Sequence, residues 1–161
     1  KFSLILKQFS FNFPLIIFNL QYKLGDGACT TDYFTVTGGS SAVPRICGEN
    51  SGQHVYVDFA GDSPVTVTVA TSSAFTFNRR WHLHMQQIGC DSESRAPFGC
   101  LQYWMDPSGT ISSFNYAGSG SGQINTIGVQ GSRQLSNLAY GACVRTFPGQ
   151  CSITWSLVSF S

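Results

Sequence analysis

Hydrophobic and polar positions alternate with a period of two through much of the chain. Tyr33 to Val36 is one such run, and Val55, Val57 and Phe59 form another. Turn residues bound them: Gly38-Gly39-Ser40-Ser41 follows the first, and Glu49-Asn50-Ser51-Gly52 precedes the second. Alternation between such punctuators is the pattern of a half-buried antiparallel strand. Val65, Val67 and Val69 alternate with threonines after the turn at Ala60-Gly61-Asp62-Ser63-Pro64, which predicts a hairpin of Val55–Phe59 against Val65–Val69. Nearer the start, Phe9, Phe11, Phe13 and Leu15 shift register to Phe18 and Leu20. That predicts a strand with a bulge near Ile16-Ile17, and Pro14 argues for an edge position. Trp81, Leu83 and Met85 start a further strand, with His82, His84 and Gln86 on its other face.

Residues 89–99 are polar and rich in turn formers, as expected of a junction between two units. Beyond it, Gly109 to Tyr116 reads as a strand, and the Gly/Ser-rich stretch from 117 to 133 as a flexible loop with a weak strand at Ile124 to Val129. Two short strands flank Pro148-Gly149. The chain then closes on Ile153, Trp155, Leu157 and Phe160, the spacing already met in Phe11, Phe13, Leu15 and Phe18, which suggests that one strand type occurs twice.

Composition supports the all-β reading, because Thr, Ser, Val, Phe and Gly outweigh the good helix formers. Only 11% of the 161 residues are charged and the formal net charge is +1. The longest basic run is Arg79-Arg80, too little for a nucleic-acid partner, since phosphate binding needs concentrated cations. No run reaches the roughly 18 apolar residues of a membrane helix, so membrane insertion is not expected. The chain opens on Lys1 rather than Met, which points to a fragment or processed product. Lys1 and Lys7 ahead of Pro14 to Phe18 imitate a signal peptide only loosely, because polar residues interrupt the run and no small-x-small site follows.

Six cysteines stand at gaps of 18, 43, 10, 43 and 8 residues. Zinc sites favour pairs two to four residues apart, so these read as disulfide cysteines in an oxidising compartment. Cys29 lies just before one strand and Cys47 in the connection to the next, and a bond between them closes a loop worth about 3 kcal/mol in the chain-entropy model. Loop length favours 90–100 and 143–151 for Cys90, Cys100, Cys143 and Cys151. The rival arrangement is 100–143 with 90–151.

Three groups of residues invite a chemical reading. His82 and His84 share a strand face but lack a third ligand, which favours an exposed polar face over a metal site. Gly61-Asp62-Ser63 echoes a serine nucleophile. A hairpin turn ending in Pro64 is poor scaffolding for an oxyanion hole, so no catalytic residue is assigned and the protein is not expected to be an enzyme. The aromatics Trp81, Tyr103, Trp104 and Tyr116 could contribute to a binding surface, with Trp81 and the Tyr103-Trp104 pair as the candidates.

Taken together, Cys29, Asp32-Tyr33, Cys47-Gly48 and Phe59-Ala60-Gly61-Asp62 resemble the second half of a CUB domain, and Gly109–Tyr116 with Cys143 resembles the first half. The likeness is strongest to CUB-like domains of secreted or surface proteins of arthropods. Phe114 departs from that pattern, and Cys90 and Cys151 are additional to it. The resemblance implies a disulfide-linked, jelly-roll type antiparallel β-sandwich, with the back portion of one module at 1–88, a junction at 89–99 and the front portion of a second at 100–161. It also implies an extracellular, secreted binding or adhesion module that recognises a protein or a glycan. The alternatives are a structural matrix or cuticle component and the non-catalytic part of a larger secreted enzyme. Many CUB domains bind calcium through carboxylates, and Asp32 and Asp62 stand at two such positions. Gln21 occupies the third, with Asp26 nearby as a substitute. Unpaired edges of a truncated sandwich favour a homo-oligomer.

Overall fold

A computed structural model describes residues 6–12, 27–73, 80–116 and 134–159. The described elements are seven strands: β1 (Leu6–Asn12), β2 (Tyr33–Thr37), β3 (His54–Asp58), β4 (Thr66–Ala70), β5 (His84–Gly89), β6 (Cys100–Trp104) and β7 (Gly141–Val144). They make an all-β, disulfide-linked structure. One antiparallel sheet has the order β3-β1-β5, a second pairs β2 with β4, and β6 pairs with β7 in parallel. The expected strands at 13–20 and 124–129, with the bulge at Ile16-Ile17 and the edge proline, lie outside the described residues.

The core forms where the first two sheets face each other. Phe34 and Val36 of β2 meet Val55 and Val57 of β3, with Val67 and Val69 of β4 packed against them. Phe34, Val55 and Val57 are fully buried. This facing overturns the hairpin expected of β3 and β4. The connection Phe59–Val65 carries the chain from one sheet to the other, so the valines of the two strands meet across the core instead of lying side by side. β3 pairs with β1 (Phe9↔Val57) and β4 with β2 (Val36↔Val67). β1 is likewise central rather than an edge, because β5 flanks its other side.

β3 is buried on both faces. Its alternation predicts one wet face, yet Tyr56 enters a second cluster with Ile88, Ala96, Cys100 and Tyr103. The cover comes from β6, which lies across β3 after the junction. Leu101, Phe114 and Leu135 enter the first cluster as well, so the stretches on the two sides of residues 89–99 share one core.

Buried polar groups fix this association. Gln102 Nε2 donates to Gln53 Oε1 at 2.7 Å, and Gln53 Nε2 donates to the carbonyls of Ser112 and Ser113 at 3.2 Å. The backbone N–H of Asn115 donates to Asn50 Oδ1, and that of Glu49 to Asn115 Oδ1, both at 2.8 Å. The expected strand from Gly109 to Tyr116 is therefore a loop ending in a turn. Asn115 sits at φ +63°, a conformation asparagine tolerates better than most residues, and that turn delivers its amide to the other chain stretch.

Cys29 bonds Cys47, and Cys100 bonds Cys143. The pairings 90–100 and 143–151 do not form, because the parallel ladder sets Gly141 opposite Cys100 and Cys143, two residues on, stands 5.7 Å from Cys100 between Cα atoms. Closing this 43-residue loop is worth about 4 kcal/mol in the chain-entropy model, more than the short loops that local spacing favoured. The rival's second bond is absent too: Cys151 is an exposed thiol beyond the turn closed by Gln150 N–H on the Phe147 carbonyl, and Cys90 stands outside both disulfides.

Gly48 tests the joint directly. Its φ is +83°, and an added Cβ would collide with the Asn115 side chain, whereas Gly52 at φ +78° faces open space. Gly52→Ala is expected to cost only the left-handed backbone strain, about 1–2 kcal/mol. Gly48→Ala adds the displaced Asn115 bonds, for a total of about 3 kcal/mol or more. Urea midpoints of the two variants measure the difference, and equal losses would remove Asn115 from the joint.

Candidate functional site

The second stretch carries a concavity. A cavity of about 800 Å³ is lined by aromatic residues Trp104, Phe114, Tyr116, Tyr140 and Trp155, with Asp106 as its carboxylate. The remaining described lining is mostly hydroxyl-bearing and aliphatic side chains, with neither lysine nor arginine among the described residues. Size and mixed lining are those of a ligand pocket, in which apolar walls supply affinity and a few polar groups set orientation.

Local structure explains each wall. Trp104 ends β6 with its ring 5.0 Å from His54, so one side of the indole packs on β3 while the residue still lines the cavity. Phe114 forms the floor, 1% exposed, with the Tyr140 ring 4.9 Å away. Burial pushes the Tyr140 hydroxyl above the usual tyrosine value, opposed by a hydrogen bond with the Phe114 backbone, so the phenol is neutral at physiological pH. The far wall is the 151–159 run. Trp155 is 64% exposed and Leu157 80%, and the Tyr116 hydroxyl contacts the Ser159 hydroxyl at its end.

Consecutive residues on a strand point to opposite faces, and this separates the Tyr103-Trp104 pair. Trp104 lines the cavity, whereas Tyr103 is 9% exposed, in edge contact with Tyr56, and serves the second core. Trp81 is 56% exposed, precedes β5 and is not part of the cavity lining. Trp155, Tyr140 and Asp106 were not among the sequence candidates. The apolar alternation at Ile153, Trp155 and Leu157 was visible, but it pointed to a paired strand, and no ladder forms there in the described residues.

The proposed calcium ligands do not converge. Asp32 is 2% exposed just before β2, and its Oδ1 accepts the N–H of Ser72, beyond the end of β4, at 2.5 Å. Asp62 is exposed in the turn leading to the other end of β4. The antiparallel β2–β4 ladder, five residues or roughly 14 Å long, separates these two ends, so the carboxylates do not fit a shared ion. Gln21 and Asp26 lie outside the described residues. Among the described residues no group of three or more His, Cys, Asp or Glu side chains is placed to hold a metal, and His82 and His84 are both exposed.

His54 is the titratable group that ties the cavity to the sheets. Its Nε2 lies 3.1 Å from both the N–H and the carbonyl of Tyr103. With the N–H donating, the ring is the neutral tautomer protonated at Nδ1. Burial lowers its pKa below the ordinary 6.5, with the Tyr103 carbonyl acting in the opposite sense.

Residues 97–161 match the family model described as the animal CUB domain. The matched stretch contains the whole cavity lining, from Trp104 to Ser159. It overlaps the part of the chain expected at 100–161 as the front of a second module, whereas the likeness carried by Cys29 to Asp62 lies outside it. No curated protein matches the chain, and no solved structure does.

Two outcomes are expected. In the folded protein His54 binds its proton less readily than in the unfolded chain, so its contribution to stability is complete above pH 6.5. It is lost as pH falls from there through the folded-state value. Thermal midpoints from pH 7.5 to 5 should fall, and His54→Gln should flatten that fall; an unchanged slope would assign the acid sensitivity to other groups. Separately, millimolar calcium and a chelator should give the same midpoint for the oxidised protein. A rise with calcium that both Asp32→Ala and Asp62→Ala abolish would show that the two carboxylates do meet.

Proposed function

We propose that the chain acts as a non-catalytic extracellular binding module that holds a partner protein at the cavity between Trp104 and Trp155. The observation that carries the reading is the coincidence of that cavity with the stretch that matches the animal CUB domain, a family of generally non-catalytic extracellular binding modules. Two disulfides support an oxidising compartment. Among the described residues, no helix is long and apolar enough to cross a membrane.

The chemistry of the wall supports a protein partner. Exposed aromatic and aliphatic side chains at a concave site are what interface anchors bury against, and tryptophan and tyrosine dominate such hot spots. Among the described lining residues there is no lysine or arginine to counter an anionic ligand such as a sulfated or phosphorylated chain. Asp106 instead favours a neutral or basic loop, and a neutral glycan is the second ligand class that the hydroxyl-rich wall accommodates.

Peptides selected from a displayed library against the wild-type protein provide the probe. Trp155→Ala is expected to weaken them at least tenfold, about 1.4 kcal/mol or more, while Trp81→Ala leaves them unchanged. Loss of binding in Trp81→Ala with retention in Trp155→Ala would move the contact surface to the approach to β5.

A further inference from the structure

We propose that residues 97–161 form an exchangeable segment that can leave its place on residues 27–89 and dock in the same way on a second copy of the chain, giving a domain-swapped dimer. Three features of the joint carry this.

The first is covalent. Cys29–Cys47 closes within the earlier stretch and Cys100–Cys143 within the later one, so the backbone at the junction is the link that separation must leave intact. The second is the junction itself. Residues 91–95 and 97–99 are exposed, the apolar Phe98 included, and Ala96 is the buried residue among them; the stretch belongs to no strand ladder and its backbone bonds Ser92–Gly89, Arg95–Ser92 and Cys100–Pro97 are local turns, which is the character of a hinge. The family match also begins at residue 97, inside this hinge.

The third is the specificity of the docking face. Gln53–Gln102, Asn50–Asn115 and Glu49–Asn115 are directional hydrogen bonds between residues far apart in the chain. Backbone N–H of Ser136 also donates to the Gly27 carbonyl at 3.0 Å. A second copy presents the same groups in the same geometry, so exchange restores every one of these bonds, and only the hinge adopts a new path. Exchange of an identical element costs little beyond association entropy, which makes the dimer concentration-dependent. A formal net charge of +1 leaves little repulsion between copies.

Shortening the hinge is the direct test. Deletion of residues 92–95 from the full chain prevents the segment from turning back on its own body; it removes the local turn hydrogen bonds within 89–95 and, with Glu93, the exposed ion pair to Arg145, which is worth little. Light scattering after oxidative refolding should show a doubled mass at concentrations where the wild-type chain is a monomer. A monomer with the wild-type melting midpoint would overturn the proposal. Complementation supplies a test that survives misfolding of that variant. Asn50→Lys and Asn115→Lys each break the joint from one side, and co-refolding them should restore about half of the wild-type unfolding amplitude, because one lobe of the swapped pair unites two unaltered faces. Absence of recovery on mixing would likewise overturn it.

Discussion

The structure depends on a set of buried amides that join two distant parts of the chain. Asn50, Gln53, Gln102 and Asn115 are each no more than 8% exposed, and each makes a hydrogen bond across the joint. Buried polar groups without partners are costly, so these cross-stretch bonds, which leave only Gln102 Oε1 of the four amides without a partner among the buried atoms, favour one alignment of the two stretches. Hydrophobic contact alone tolerates sliding. The amides do not, and they set where Leu101 and Phe114 enter the core. Gly48 belongs to the same constraint, since only a residue without Cβ leaves room for the Asn115 side chain at that point.

Strand positions were largely legible because period-two alternation reports burial on a pleated surface. β2, β3 and β4 fall within a residue of the runs read from Tyr33, Val55 and Val65. Partners were not legible. Val55–Phe59 and Val65–Val69 look like a hairpin because a short turn-rich loop separates them, but the same loop can step between sheets, and alternation does not distinguish the two. Cysteine pairing failed for a related reason: spacing along the chain carries no information about which strands a ladder brings together, and Cys100 meets Cys143 through β6 and β7.

The site was half legible for reasons of sidedness. Tyr103 and Trp104 are equally aromatic, and the sequence ranks them together. β6 sends one to the core and the other to the cavity, a division that depends on which face of the strand β3 covers. His54 shows the converse. It reads as an ordinary polar position on an alternating strand, yet β6 lies over it and turns it into an acceptor for the Tyr103 N–H. The wall at Trp155 was hidden by an expectation of pairing. Its alternation is real, but in the described structure the run lies open, and its apolar side chains line a cavity instead of a sheet.

Phe114 links these levels. It is fully enclosed by the first core, it precedes the Asn115 turn that clasps Glu49 and Asn50, and it floors the cavity against Tyr140. A ligand filling that cavity therefore rests on a residue whose position is set by the joint. Binding to the closed arrangement and not to the opened one stabilises the joint by the logarithm of ligand concentration over dissociation constant, about 2.7 kcal/mol at a hundredfold excess. The same relation runs in reverse. Any change that loosens the joint lowers the fraction of molecules with a formed floor, and apparent affinity falls by that fraction without any contact to the ligand being altered. Stability of the association between the two stretches and occupancy of the cavity are thus one equilibrium observed at two places.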